Sequence, residues 1–167
     1  MVAHGLANQL TALACPCGFG DSFNACCALL HAGQPAQSAE QLMRSRYSAY
    51  ATQNIDYIVQ TTLPIQQQGL DIDAMTAWSK QNQWQGLTIH RVLGKANSRH
   101  AQVEFTAAFT DAHGVQTHRE LSGFVYIAPQ WYFLDPTLSS YPALKSMCFC
   151  GSGQKFKRCC APFLGII

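Results

Sequence analysis

Charge is scarce in this chain. Asp, Glu, Lys and Arg make up 12% of its 167 residues, against 48% hydrophobic residues, a balance that suits an ordinary packed core and excludes a charge-rich disordered segment. The formal net charge of +2 is too small to argue for a nucleic-acid partner by itself. No apolar run approaches the roughly 20 residues of a membrane span, so no membrane partner is expected. The phosphate-loop, dinucleotide-loop, nucleophile-elbow and zinc-protease signatures are missing too, and the G-x-G elements are confined to Gly18-Phe19-Gly20 and Gly151-Ser152-Gly153. Each absence removes a class of enzyme, and no catalytic or organic-cofactor residue is assigned.

Sulfur is what the chain does have. All eight cysteines fall into two copies of C-x-C-x8-C-C: Cys15, Cys17, Cys26 and Cys27, then Cys148, Cys150, Cys159 and Cys160. Both copies carry glycines after the first pair (Gly18 and Gly20; Gly151 and Gly153) and a Phe three residues before the second (Phe23; Phe156). Duplication on this scale builds two four-thiolate sites, one towards each end. A tetrahedral zinc needs four soft donors about 2.3 Å away, and two tight turns supply them within a dozen or so residues. The glycines let backbone N–H groups turn towards sulfur, and the two phenylalanines are expected to plug the apolar space beside each metal. A disulfide framework competes with this reading, but neighbouring cysteines bridge poorly to distant partners. Iron also accepts four thiolates in tetrahedral geometry.

Charge is unevenly spread. Residues 1–37 contain no Lys or Arg, whereas Lys145, Lys155, Lys157 and Arg158 lie in a C-terminal stretch without Asp or Glu. These cations either meet an acidic or phosphate-bearing partner or offset a zinc tetrathiolate of charge −2, and the second reading is preferred. Residues 6–15 superficially resemble a lipoprotein signal, yet they lack a basic leader and Cys15 belongs to the first cysteine set; a short helix is expected there instead. Reduced thiolates and no membrane span point to a cytoplasmic protein.

The segment Cys148-Phe149-Cys150-Gly151-Ser152-Gly153-Gln154-Lys155-Phe156-Lys157-Arg158-Cys159-Cys160 resembles the SEC-C motif, named for the zinc-binding tail of the preprotein-translocase motor SecA. The first copy resembles it too, with Phe19 where Ser is usual. Together with Ser38 to Tyr47, Val103-Glu104-Phe105, His118-Arg119-Glu120 and Trp131 to Asp135, these motifs are similar to the YchJ-type family across nearly the whole chain. The resemblance implies an α+β fold: a cone-shaped domain like nuclear transport factor two, flanked by two zinc knuckles. It divides the chain into a first knuckle over residues 1–33, the middle domain over 34–144 and a second knuckle over 145–167. By analogy with such tails, the knuckles present surfaces to other proteins, with chaperones, ribosomes or translocation machinery as the partner class.

Residue patterns agree with that order of elements. Ser38 and Gln41 make a capping box for a helix carrying Met43, Tyr47 and Tyr50 on one face. Asn54 or Asp56 caps a second helix that runs to Thr62 before Pro64, and Asp71 or Asp73 caps a third towards Asn82. The periodicity then becomes that of strands over 86–93, 99–109, 117–128 and 131–135, with Val103, Phe105, Ala107 and Phe109 marking a buried face. Residues 136–146 read as a tether.

A cone-shaped domain implies a pocket between helices and sheet. His118, Glu120 and Ser122 share one strand face, and Arg46 can point at it from the first long helix. Proton transfer by Glu120 and His118 is one reading; a structural Arg46–Glu120 ion pair is preferred. A small-molecule ligand in this pocket is the alternative to a purely protein-binding role. His90, His100 and His113 are expected to face solvent.

Overall fold

A computed structural model describes residues 13–167. The helix expected over residues 6–15 lies almost wholly outside that range.

After the first cysteine set, helix α1 (Cys27–His31) leads to α2 (Ala39–Ala51), α3 (Ile55–Gln60) and α4 (Ile72–Gln81). Strands β1 (Gln83–Leu93), β2 (His100–Asp111), β3 (Gly114–Ile127) and β4 (Gln130–Leu134) follow as an antiparallel meander in the order β1-β2-β3-β4. The second cysteine set ends in the short helix α5 (Cys160–Phe163). Helices packed on one sheet give the expected α+β domain.

The helix starts follow side-chain chemistry. Ser38 accepts from the Gln41 backbone N–H at 3.1 Å, while the Gln41 side chain accepts from Gln37 N–H, one residue earlier than in a standard capping box. Asn54 and Asp71, rather than Asp56 and Asp73, cap α3 and α4. Helix α3 stops at Gln60, before Thr62, because Thr61–Leu63 bonds alongside β4: Phe133 N–H donates to Thr61 O and Leu63 N–H to Phe133 O, both at 2.8 Å. This segment covers the edge of β4, which would otherwise present unpaired backbone groups.

Strand β1 begins three residues before its expected start. Gly86, the expected first residue of the strand, sits instead at a register shift within it, and Trp84 ahead of it packs against the core. Alternation in β2 holds for Ala101, Val103, Phe105 and Ala107, which are buried while their neighbours are not, but Phe109 is only half-buried because it lies towards the end of the strand against Trp78 and Trp84. Strands β2 and β3 are longer than expected because Ala112 and His113 alone make the turn, with Asp111 accepting from His113 N–H at 2.7 Å and Gly114 at φ 105°.

Leu42, Met43, Tyr47, Tyr57, Ile58, Val103, Phe105 and Phe124 form the main core between helices and sheet. At its wide end Tyr50, Trp78, Trp84 and Phe109 pack mostly edge to face. A second core, Leu63, Val125 and Leu134 with Cys148, Cys150, Phe156 and Cys160, joins the sheet to the second cysteine set. Residues 136–146 do not hang free. Gln66, fully buried, donates to Asp135 O and Leu138 O and accepts from Asp135 N–H, which fastens the start of this segment to the domain.

Candidate metal centres

Each cysteine set folds the same way. An isolated antiparallel bridge (Ala14 with Ser22; Met147 with Lys155) opens it, a 3-10 turn follows (Phe23–Ala25; Phe156–Arg158), and a short helix closes it. Gly18 and Gly151 adopt φ of 72° and 73°, a left-handed conformation that favours glycine. In both turns the glycine N–H also donates to the carbonyl of the first cysteine, Gly18 to Cys15 O and Gly151 to Cys148 O. Phe19 in place of Ser therefore leaves the turn unchanged. Its ring points outward, 64% exposed, with the Arg44 guanidinium 5.4 Å from its centre.

The four sulfurs of each set lie within 4.8 Å of one another. Cys17 and Cys26 are 3.6 Å apart, Cys26 and Cys27 3.9 Å, and Cys150 and Cys159 3.4 Å. A tetrahedron of sulfurs about 2.3 Å from a metal has edges of about 3.8 Å, whereas a disulfide would hold its sulfurs at about 2.05 Å. All eight cysteines are free thiols. The donor set and spacing fit a metal ion at each cage, with zinc and iron both compatible.

Thiol crowding makes the cages electrostatically uneven. A hydrogen bond from Cys27, opposed by burial, holds Cys17 at about 5, while Cys27 itself is driven upward by the same bond. Burial pushes Cys26 up to about 12. In the second cage burial raises Cys150, but bonds from Ser152, Cys159 and Cys148 outweigh it and leave it at about 7. Burial raises Cys159 to about 11 and lifts Cys160 as well. In each cage one thiolate is favoured while the adjacent pair, Cys26 and Cys27 or Cys159 and Cys160, resists ionising, so a divalent cation is the natural means of holding them as thiolates.

The middle domain grips both cages alike at one point. Arg44 donates to Cys17 O at 3.0 Å, and Arg99 donates to the equivalent Cys150 O at 2.9 Å. Around the sulfurs they differ. Ser48 Oγ lies 3.5 Å from Cys15, whereas His100 Nε2 lies 3.1 Å from Cys160 and its ring stacks on Phe163 at 4.6 Å. His100 is thus half-buried against a cage, not facing solvent as its position near a strand end suggests; burial lowers its pKa. His90 and His113 are exposed. Phe156 plugs the second cage at 1% exposure, and Phe23 packs beside the first while half-buried.

The SEC-C motif family matches residues 146–162, and the family of the YchJ middle NTF2-like domain matches residues 38–136, over half of the chain. The chain belongs to the YchJ-like family. A crystal structure of a SEC-C motif containing protein from Psychrobacter arcticus is 42% identical, with a TM-score of 0.82 over 93% of this chain and 99% of that one. The solution structure of a SEC-C motif containing protein from Rhodopseudomonas palustris is 38% identical, with a TM-score of 0.67 over 74% of this chain and 96% of that one.

This YchJ-like middle domain does hold a pocket, of about 240 Å3, between α2, α4 and the sheet. Glu120 stands at its wall between Ser122, which donates to it, and His118 Nε2 at 2.8 Å. Arg46 reaches the same pocket but forms no ion pair with Glu120, which corrects the sequence-based preference. Its Nη1 donates instead to Ile58 O, Thr61 Oγ1 and Thr62 Oγ1, and its guanidinium lies 4.2 Å from the centre of the Phe133 ring. The two threonines where α3 unwinds offer the nearer acceptors. Burial lowers the pKa of this guanidinium to about 10, so it remains a cation at neutral pH. Among the described residues no helix is long and apolar enough to cross a membrane.

Proposed function

We propose that this YchJ-like protein binds zinc in both cages and works as a non-catalytic cytoplasmic adaptor, with its first knuckle offering an apolar surface to another protein. The observation that carries this reading is the exposure of Phe19, Leu13 and Leu29 at 64%, 61% and 46%. Phe19 and Leu29 line one groove beside the first cage, and large apolar side chains exposed together in this way are used where a partner covers them. That groove, of about 550 Å3, is also lined by Leu30, Glu40, Gln41 and Arg44. Four thiolates leave no open coordination position, so the metals brace structure and do not activate water. Chaperones, ribosomal proteins and translocation components are the partners to test first, on the analogy with the translocase tail.

The test separates adaptor from scaffold. Phe19→Asp combined with Leu29→Asp should keep two metal equivalents per chain and the wild-type melting curve while abolishing capture of a cross-linked protein partner. Unchanged capture would remove the adaptor reading, and elemental analysis of untagged protein decides between zinc and iron.

A further inference from the structure

Arg46 is a buried cation whose hydrogen-bonding capacity the fold leaves partly unused. A guanidinium has five N–H donors, and the three protein acceptors all sit on Nη1. Nε and Nη2 have no acceptor among the described residues, yet no buried side-chain nitrogen or oxygen there is orphaned. Those two nitrogens therefore meet open space. Arg46 is only 5% exposed and lines the middle-domain pocket, so that space is the pocket. The Nε–Nη2 edge is one of the two forks by which arginine takes a carboxylate in two parallel bonds.

The rest of the wall specifies the other end of a ligand. Glu120 and Asp135 both line the pocket and neither is ion-paired with Arg46. Asp135 Oδ1 accepts from Thr137 N–H and Oγ, and its Oδ2 has no donor among the described residues. Tyr50, Trp78, Trp84 and Phe105 supply aromatic surface. The wall thus offers both signs of charge, the free edge of one guanidinium and two carboxylates, Glu120 held by Ser122 and His118 and Asp135 with one oxygen undonated, and a molecule bearing one carboxylate and one ammonium meets both at once. Aromatic faces beside carboxylates favour the ammonium further.

We propose that the pocket binds a small zwitterion of the α-amino-acid type, its carboxylate on the Nε–Nη2 edge of Arg46, its ammonium towards Asp135 and Glu120, and its side chain among Trp78, Trp84 and Tyr50. A volume of about 240 Å3 holds a ligand smaller than the drug-sized molecules that fill pockets of roughly 300 Å3 and above. This site is independent of the cages and of the adaptor surface.

The experiment titrates the metal-loaded full chain with the standard L-amino acids, and with the matched amines and des-amino acids, following the indole N–H resonances of Trp78 and Trp84. Expected is saturable binding of at least one apolar or aromatic amino acid, with each singly charged analogue weaker by about tenfold or more. Arg46→Lys should weaken the amino acid by a similar factor. Asp135→Asn, at a half-exposed position, should weaken the amino acid but not its des-amino analogue, and this variant serves if Arg46→Lys does not fold. No indole shift with any amino acid at about 10 mM, equal affinity for the des-amino acid, or full affinity in a folded Arg46→Lys variant overturns the proposal.

Discussion

The two knuckles share ligand spacing, glycine turns and an arginine on the carbonyl of the second cysteine, yet they are built into the molecule to different depths. The second shares a core with the sheet, through Leu63, Val125 and Leu134, and buries Phe156 completely. The first has a separate small cluster of Cys15, Cys17 and Cys27 with Phe23 and Cys26 beside it, and meets the domain through Leu30 of α1, which reaches the main core, and through Arg44, Ser48 and His31. The same metal motif can thus be part of a domain's core or an appendage on its surface, depending on what the host packs against it. Exposed Phe19 and Leu29 go with the appendage.

The largest effect expected from this difference is on stability. Cys160→Ser should lower the global melting midpoint by more than about 5 °C, because it loosens apolar groups shared with the sheet, whereas Cys27→Ser should lower it by no more than about 2 °C. Each variant should keep one of two metal equivalents, read by elemental analysis alongside calorimetry. Equal losses of stability would erase the comparison. A smaller effect concerns affinity: the N–H of a ring that contacts a ligand sulfur orients and polarises it, so His100→Phe should weaken metal at the second cage by about 10- to 100-fold, while Ser48→Ala weakens the first by less. Competition with a chromophoric chelator measures both.

The smallest effect is on pH dependence at the first knuckle. Burial lowers the pKa of His31, whose Nε2 lies 2.9 Å from Ser45 O and whose ring packs on Tyr57 at 4.5 Å. The unfolded state then binds the proton more readily than the folded one, so the stabilisation from neutral His31 is fully present above its ordinary value of about 6.5 and is lost as pH falls from there through the lower value it has in the folded chain. His31→Asn should flatten the decline in thermal stability as pH falls below about 6.5. An unchanged slope would show that this contact does not anchor the knuckle.

Much of the site was legible because metal ligation writes itself into spacing: four sulfurs, two turns and the glycines that shape them are all local. The helix caps at Ser38, Asn54 and Asp71 and the alternation of β2 are local too, and the helix-then-meander order followed from them. The start of β1 was missed by three residues because Gln83, Trp84 and Gln85 are too few to establish alternation of their own until β2 pairs with them across the register shift at Gly86. Arg46 misled for a related reason. Glu120 was the acid in view, and nothing in the sequence says that Thr61 and Thr62 are carried to its guanidinium by the end of α3.

What the chain's residues determined by themselves is the pair of cages and the class of the domain between them, since both rest on contacts within a dozen residues or on periodicity. What needed the tertiary structure was the placing of His100 against Cys160, the hold of Gln66 on residues 135–138 and the open edge of Arg46. These contacts join residues 60, 69 and 72 positions apart, or depend on which of several acceptors lies nearer. Distance along a chain carries no record of such meetings; only the packing of helices on a twisted sheet decides them.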